Sequence, residues 1–295
     1  MMLNRLALVL VFFLTACGST ATEVAVPDSA SWTATPMPTS IPAPTDTPEP
    51  TNTPEPIITP EPSFRDDSGS VIIPKGGKIR IAVLDPTDLF QDMIYTGVLL
   101  AVEDWGSITG FEIELIEIDD YCLDSSLGSG AESAAADPTI VGVIGPVCSG
   151  TTRDGLPFLE DARIVMVSPG ASMPGLFDFG PSVFNRVVFD ENQKEEKGIN
   201  EDEYMELASV QEFLQRIVDR FNAPADQIEN GGIFFTLSYD ATTVLLSAIE
   251  QSATINSDGA LVVDWQALAQ AVRNTNGLEA LTGSITIDDM GNRVP

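Results

Sequence analysis

The segment GPVCSGTT, residues 145–152, places a thiol and several hydroxyl groups directly after the apolar run TIVGVI. Two kinds of chemistry suit such a segment. Cys148 or Ser149 can serve as the nucleophile of a covalent enzyme, which requires a general base within hydrogen-bonding reach. Alternatively, the hydroxyls and the backbone N–H groups of the turn can hold a ligand without changing it. The remaining residues have to distinguish an enzyme from a binding protein.

The composition argues against an enzyme. The 295 residues include no histidine, which removes the usual general base and the usual metal ligand. Zinc would have to be held by carboxylates and cysteines alone, so neither a metal nor another cofactor is expected. Acidic residues outnumber basic residues 44 to 14, for a net charge of −30. Because such a surface repels a phosphate backbone, no nucleic-acid partner is expected either.

The N-terminal residues have the pattern of an export signal. Arg5 precedes the apolar run LALVLVFFL, which is short for a membrane span. The run ends in LTACGS, where Leu14, small residues and Cys17 form a bacterial lipobox. The sequence therefore predicts a lipoprotein signal peptide over residues 1–17, with Cys17 lipidated and the protein anchored to a membrane outside the cytoplasm. The alternative is an ordinary signal peptide in which Cys17 has no role.

Residues 18–69 are predicted to form a disordered linker rich in proline, threonine and glutamate. The motif TPEP begins at Thr47, Thr53 and Thr59, a six-residue period. Such a segment has no apolar face to bury, and its prolines favour an extended polyproline conformation. We interpret it as a spacer between the membrane and a folded part that begins at residue 70.

Cysteine usage gives a second argument against a nucleophile. Once Cys17 is assigned to lipidation, Cys122 and Cys148 remain. An even pair in an exported protein favours a disulfide over a reactive thiol. The cysteines therefore favour a structural role for Cys148.

Strands and helices are predicted to alternate from residue 78 onward. Apolar or alternating runs predict strands over residues 78–84, 111–118, 139–144, 164–167 and 183–188. Helical spacing predicts helices over residues 93–105, 125–136, 151–161, 210–221 and 265–272. This order is typical of an α/β fold, a mostly parallel sheet with helices on both faces. Ligands of such folds lie at the carboxyl ends of the strands, where GPVCSGTT and SPGAS both fall.

Several segments resemble those of the leucine/isoleucine/valine-binding, type I periplasmic binding proteins of branched-chain amino acid ABC transporters. In family order they are IAVLDPTDLFQDMIYTGVLLAVED, IDDYCLD, VGVIGPVCSGTT, MVSPGASMP, FNRVVFDENQ, SYDATTVLLSAIEQSA and LTGSITIDDMGNR. The resemblance implies a binding protein rather than an enzyme. In several members the two cysteines at these positions pair, which supports a bond between Cys122 and Cys148.

The resemblance also implies roles for four residues. Ser149 would bind the α-carboxylate of an amino acid, or a similar small carboxylate, through its hydroxyl and backbone N–H. Ser172 would add a second hydroxyl, Gly170 would offer its carbonyl to the α-ammonium, and Phe90 would pack against the ligand. Structural alternatives exist for each. The serines can be helix N-caps, Gly170 a turn residue, and Phe90 a loop anchor.

The resemblance stops after Gln193. The segment KEEKGINEDEYMELASV is charged and has no strand pattern, and the match resumes in helices of the family's first lobe. We therefore expect residues 70–190 and 208–295 to form one α/β lobe, with residues 191–207 as a charged connector in place of most of the second lobe. The family closes its amino acid between two lobes, so this site would stay open on one side.

Two functions remain open at this point. The first is a lipid-anchored solute-binding protein that binds an amino acid and delivers it to an ABC transporter permease. The second is a non-transport lipoprotein that displays the single lobe to a partner, or a degenerate relic.

Overall fold

The computed structural model describes residues 63–86, 92–122 and 128–295. All of them belong to one compact unit, Ile57–Pro295. The predicted signal peptide with Cys17, most of the predicted linker, and Phe90 lie outside the described residues.

The described part contains eleven strands and seven α-helices. The strands are β1 (Phe64–Arg65), β2 (Val71–Ile73), β3 (Ile79–Asp85), β4 (Ser107–Ile108), β5 (Phe111–Asp119), β6 (Ile140–Ile144), β7 (Val165–Val167), β8 (Thr254–Ile255), β9 (Leu261–Val263), β10 (Leu278–Ala280) and β11 (Gly283–Ile285). The helices are α1 (Met93–Trp105), α2 (Ser129–Ala136), α3 (Ser149–Ala162), α4 (Glu191–Lys197), α5 (Ala208–Phe221), α6 (Ala225–Ser252) and α7 (Trp265–Arg273). Short 3-10 helices cover Leu176–Phe179 and Glu201–Glu206.

The central sheet has five strands in the order β4-β5-β3-β6-β7. Strand β3 pairs in parallel with β5 on one side and with β6 on the other, and β6 pairs in parallel with β7. Only β4 is antiparallel to its neighbour. The connection that follows β3 and the connection that follows β5 lie on opposite faces of the sheet. A crevice is therefore expected at the carboxyl ends of β3 and β6, the neighbouring strands between which the chain changes direction.

Helices cover both faces of this sheet, as predicted. Side chains of β3 alternate between the two sides: Ile81 and Val83 join a cluster with α1, α6 and α7, while Ala82 and Leu84 join a cluster with α2 and α3. All four are fully buried. A strand buried on both faces is continuously apolar, which is why IRIAVL is easily recognised as a strand.

Helix α6 is the main helix of the first face. It is 28 residues long and apolar enough to cross a membrane, but 72% of its most apolar window is buried inside the fold. Val244, Leu245 and Ile249 on this helix are fully buried against the sheet. Helix α6 is therefore explained as a core helix.

Two small antiparallel sheets complete the unit. One has the order β1-β2-β9-β8, and the other is the hairpin of β10 and β11. Strand β1 lies inside the segment predicted to be a disordered linker, and it pairs with β2 through Phe64–Ile72 and Arg65–Val71. The folded part thus begins earlier than the predicted boundary at residue 70.

The predicted fifth strand over residues 183–188 is wrong. These residues run beside β7, but only an isolated bridge between Ser168 and Arg186 has strand geometry. The amide of Asn185 donates to the backbone carbonyls of Met166 and Val183, at 3.1 Å each. Such side-chain bonds occupy carbonyls that a regular strand ladder would use.

The charged segment over residues 191–207 is folded, although it has no strand. Helix α4 begins with a capping box in which Asp190 accepts from Gln193 N and the Gln193 side chain accepts from Asp190 N. The 3-10 helix Glu201–Glu206 follows. Between β7 and β8 every residue is described, and the segment contains helices and the one bridge but no strand. This fully described segment therefore contains no βα unit.

Candidate functional site

The two loops singled out from the sequence meet at the carboxyl ends of β6 and β7. The hydroxyl of Ser168, which is fully buried, joins them. It donates to the carbonyl of Pro146 at 2.6 Å and accepts from the backbone N–H groups of Gly170 and Ala171 at 3.3 and 2.9 Å. One side chain thus fixes the position of both loops relative to each other.

Gly170 lies where the two loops touch. A Cβ at this position would be 2.3 Å from Val147 Cγ2 and 2.8 Å from the Val147 carbonyl oxygen. The φ angle of Gly170 is not among the positive ones, so the position requires glycine because of packing and not because of a left-handed turn. The close contact between the two loops, and not a left-handed turn, therefore explains why this position is a glycine.

Ser149 is the first residue of α3, while Cys148 occupies the N-cap position. Ser149 is therefore not the N-cap residue of α3. Its hydroxyl oxygen accepts from the backbone N–H of Met173 at 3.1 Å, which leaves the hydroxyl hydrogen available to an acceptor. The N-cap residue Cys148 makes no side-chain capping bond, so within the described part of the chain the N–H groups of the first turn carry the positive end of the helix dipole without a side-chain cap.

Ser172 lies next to Met173 and has a carboxylate as its neighbour. Its hydroxyl donates to Glu191 Oε1 at 3.3 Å, and the Glu191 N–H donates to the Ser172 carbonyl at 3.0 Å. Asp190, not Ser172, is the N-cap of α4. The structure thus brings Ser149, Gly170 and Ser172 together in two adjoining loops, with the exposed Glu191 beside them.

Cys122 and Cys148 are joined by a disulfide, with 5.7 Å between their Cα atoms. The bond connects the residues after β5 to the N-cap of α3, so it fixes the start of the helix that carries Ser149. The prediction of this disulfide is confirmed. A bonded Cys148 is not a nucleophile.

Arg186 supports the second loop from behind. Its buried guanidinium donates to the carbonyls of Ala171 and Met173 at 3.0 Å each, and it pairs with Asp190 at 3.0 Å. Removing Arg186 would take this donor from the carbonyls of Ala171 and Met173 and the counter-charge from Asp190, so its contacts are part of the site's framework.

Sequence reasoning missed Ser168, Glu191 and Arg186, and it also missed Asp85. Asp85 ends β3, is fully buried, and accepts from the backbone N–H of Tyr95 through Oδ2 at 2.9 Å. Burial raises the pKa of Asp85 to about 6, and nearby carboxylates add to the rise. An acidic residue directly after an apolar strand was the available signal.

No family model matches the chain. Among curated proteins, the leucine-, isoleucine-, valine-, threonine- and alanine-binding protein of Pseudomonas aeruginosa is 28% identical over 116 residues, covering 38% of this chain and 31% of that protein. The leucine-specific-binding protein of Salmonella typhimurium is 32% identical over 102 residues, or 34% of this chain and 27% of that protein. The Leu/Ile/Val-binding protein of Escherichia coli is 30% identical over 105 residues, or 33% and 28%. The chain therefore matches about a third of the length of these relatives.

Solved structures share the fold over a longer span. An ABC transporter substrate-binding protein from Desulfitobacterium hafniense superposes with a TM-score of 0.58 at 16% identity, over 74% of this chain and 95% of that chain. A branched-chain amino acid transporter substrate-binding protein from Streptococcus pneumoniae, in complex with isoleucine, gives 0.57 at 14% identity, over 74% and 94%. A leucine-binding protein from Thermotoga maritima gives 0.54 at 18% identity, over 73% and 93%. At these identities the likeness concerns the fold alone.

The sequence matches and the superpositions differ in span: the former cover about a third of each relative, and the latter cover 93–95% of each solved chain. The chain is thus similar in sequence to leucine-, isoleucine- and valine-binding proteins over about a third of their length, and its fold resembles that of solved ABC transporter substrate-binding proteins.

Proposed function

We propose that the protein is an extracytoplasmic, lipid-anchored solute-binding protein that binds an amino acid of the branched-chain type and delivers it to an ABC transporter permease. One observation carries the proposal: two hydroxyl-bearing loops meet beside the uncapped N-terminus of α3. The names of the relatives, which are binding proteins for leucine, isoleucine and valine, supply the ligand class.

The chemistry of the site suits a carboxylate. The hydroxyl of Ser149 and the free N–H groups of the first turn of α3 are donors, and the positive end of the helix dipole favours an anion by about 0.3–1 kcal/mol. Ser172 contributes a second hydroxyl, and the Gly170 carbonyl is the acceptor assigned to the α-ammonium. Phe90 is assigned to the ligand's side chain by resemblance. Binding requires no covalent step, so none of these residues has a catalytic role.

The absent lobe limits the affinity. A ligand on these loops keeps one side in contact with water, so that part of its surface is not desolvated and contributes little to the binding free energy. We therefore expect a Kd in the high micromolar range or weaker, which corresponds to about −5 kcal/mol of binding free energy. Leucine, isoleucine and valine are the first ligands to test.

Calorimetry or ligand-observed NMR on the purified full chain tests the site against a panel of amino acids. Ser149→Ala and Ser172→Ala should each weaken binding about tenfold, because a hydrogen bond to a charged group contributes about 1.5–3 kcal/mol. Ser133→Ala is the matched control, since Ser133 is an exposed serine on α2. Binding that survives both site substitutions would place the ligand elsewhere.

Glu191 provides a second test with the opposite sign. Its carboxylate accepts the Ser172 hydroxyl and would face the ligand's carboxylate, so Glu191→Gln should strengthen binding severalfold at low salt. The gain should fade at high salt, because Glu191 is exposed and its charge is screened. Glu250→Gln, an exposed glutamate at the end of α6, should have no effect.

The anchoring part of the proposal rests on the lipobox. Wild-type protein should partition with membranes, whereas Cys17→Ser should remain unprocessed or be released. A wholly soluble wild type that retains Cys17 as a free thiol would contradict lipidation.

One feature favours the alternative of a displayed lobe without transport. The hydroxyl oxygen of Ser149 and the hydroxyl hydrogen of Ser172 already have partners within the protein, Met173 and Glu191. If no amino acid of the panel binds, the loops are a structural relic and the display function becomes the better proposal.

A further inference from the structure

We propose that Asp85, Asp92 and Glu117 form a binding site for a calcium ion at the carboxyl ends of β3 and β5. Each residue offers a carboxylate oxygen, and these oxygens lie within 4.8 Å of one another. The site does not depend on an amino-acid ligand, and it uses none of the residues assigned to one.

The sheet register brings two of the three side chains together. Asp85 pairs with Asp119 and Val83 pairs with Glu117 in the parallel ladder of β3 and β5. Since side chains two residues apart share a face, Asp85 and Glu117 project to the same side as Val83, the side that α1 covers. Asp92 directly precedes α1 and reaches the same place from the helix.

Asp85 supplies an observation that is independent of the acidic cluster. The residue is fully buried, and its Oδ2 is engaged with the N–H of Tyr95. Its Oδ1 is buried and has no hydrogen-bond partner among residues 63–86, 92–122 and 128–295. A buried carboxylate oxygen without a partner is strongly unfavourable, so this atom requires a proton or a cation.

Among the described residues, the charged groups that act on Asp85 are carboxylates. Within the described part of the chain, no lysine or arginine forms an ion pair with any of the three carboxylates. The carboxylate of Asp119 lies close enough to add to the field on both Asp85 and Glu117. A divalent cation would offset two of these negative charges and give Oδ1 a partner.

The donor set favours calcium. Calcium takes six to eight oxygen ligands in flexible geometry, whereas magnesium demands a near-ideal octahedron. Asp92 and Glu117 are exposed, so water can fill the remaining positions. The lack of histidine, which argued against zinc in the sequence, places no restriction on a site made of oxygens. Sites of this kind in extracellular proteins have Kd values on the order of 10⁻⁴ to 10⁻³ M.

Isothermal titration of calcium chloride into the full chain, stripped with a chelator, tests the proposal. We expect saturable binding of one ion in this range, with magnesium binding more weakly. Terbium gives a local readout, since the ring of Tyr95 can sensitise a bound lanthanide. Burial and, after it, the nearby charge of Glu117 raise the pKa of Tyr95, which places the tyrosine close to the site.

Asp85→Asn should abolish the saturable phase, and Glu117→Gln should weaken it at least tenfold. Glu250→Gln removes the same charge at a distant exposed position and should leave binding unchanged. If Asp85→Asn fails to fold, Glu117→Gln and Asp92→Asn decide the matter, because both side chains are exposed. Non-saturating binding that all variants share equally would be diffuse attraction to an acidic protein and would overturn the proposal.

Discussion

Removing the disulfide between Cys122 and Cys148 should lower the free energy of unfolding by about 3.5 kcal/mol. The two cysteines are separated by 26 positions along the chain. In the chain-entropy model, a crosslink that closes a loop of this length removes about 12 cal/mol/K from the entropy of the unfolded chain. At 25 °C this corresponds to the stated free energy, which is a large part of the stability of an ordinary domain.

Urea denaturation followed by tryptophan fluorescence measures the effect. The wild type and the double variant Cys122→Ala/Cys148→Ala should have similar m-values, with midpoints that differ by about 1 M urea, since m for a domain of this size is near 3 kcal/mol/M. Reduced wild type is the matched control, because it retains both side chains and loses only the bond.

Two outcomes would contradict this reasoning. A loss below about 1 kcal/mol would mean that the unfolded chain is already restricted over this loop, so that the crosslink constrains little. A large loss in the double variant without a comparable loss on reduction would assign the stability to packing, because both half-buried cysteines contact the core cluster of the α1 face.

Three further predictions concern single substitutions. Gly170→Ala should destabilise the protein by about 1–3 kcal/mol and weaken amino-acid binding, because the added Cβ meets Val147 at 2.3 Å; thermal denaturation and calorimetry measure both. Gly97→Ala should destabilise it by a similar amount and leave the loops unchanged, because the new Cβ would lie 2.3 Å from the Phe235 carbonyl oxygen where α1 packs on α6. The pKa of Asp85 is raised to about 6, so native protein without calcium binds a proton before the unfolded chain does. Its stability relative to Asp85→Asn should therefore rise as pH falls from 7 towards 4, by on the order of 3 kcal/mol, and a flat difference would contradict the assignment.

The central sheet was predictable because β3 and β6 are buried on both faces and therefore apolar, while β5 alternates between apolar and acidic residues. Strands β3, β5 and β6 appear in the sequence as apolar or alternating runs, and the structure has them within one or two residues of the predicted bounds. The short strands β1, β2, β8 and β9 were not predicted. A strand of two or three residues is too short to show an alternation of apolar and polar residues. Its pairing depends on contacts between distant parts of the chain.

The candidate site was predictable only in part. Ser149 and Ser172 were selected because each follows a predicted strand, and their proposed roles came from the resemblance to the family. The residues that hold the loops were missed, because nothing in the sequence shows that Ser168 bonds across to Pro146. Glu191 was missed for a related reason: its distance along the chain from Ser172 gives no sign of their contact.

The connector of residues 191–207 has a consequence for how this architecture can change in evolution. Its first part closes on itself beside the core, since the backbone N–H of Phe189, just before α4, donates to the Glu201 side chain at 3.0 Å and Lys194 pairs with the same carboxylate. When the two ends of a loop are held together by the core, doubling its length lowers stability by only about 0.6 kcal/mol. A whole domain can therefore be inserted or deleted between α4 and α5 with little effect on the remaining core. The position is a natural graft point, at which a second lobe from a relative can be introduced.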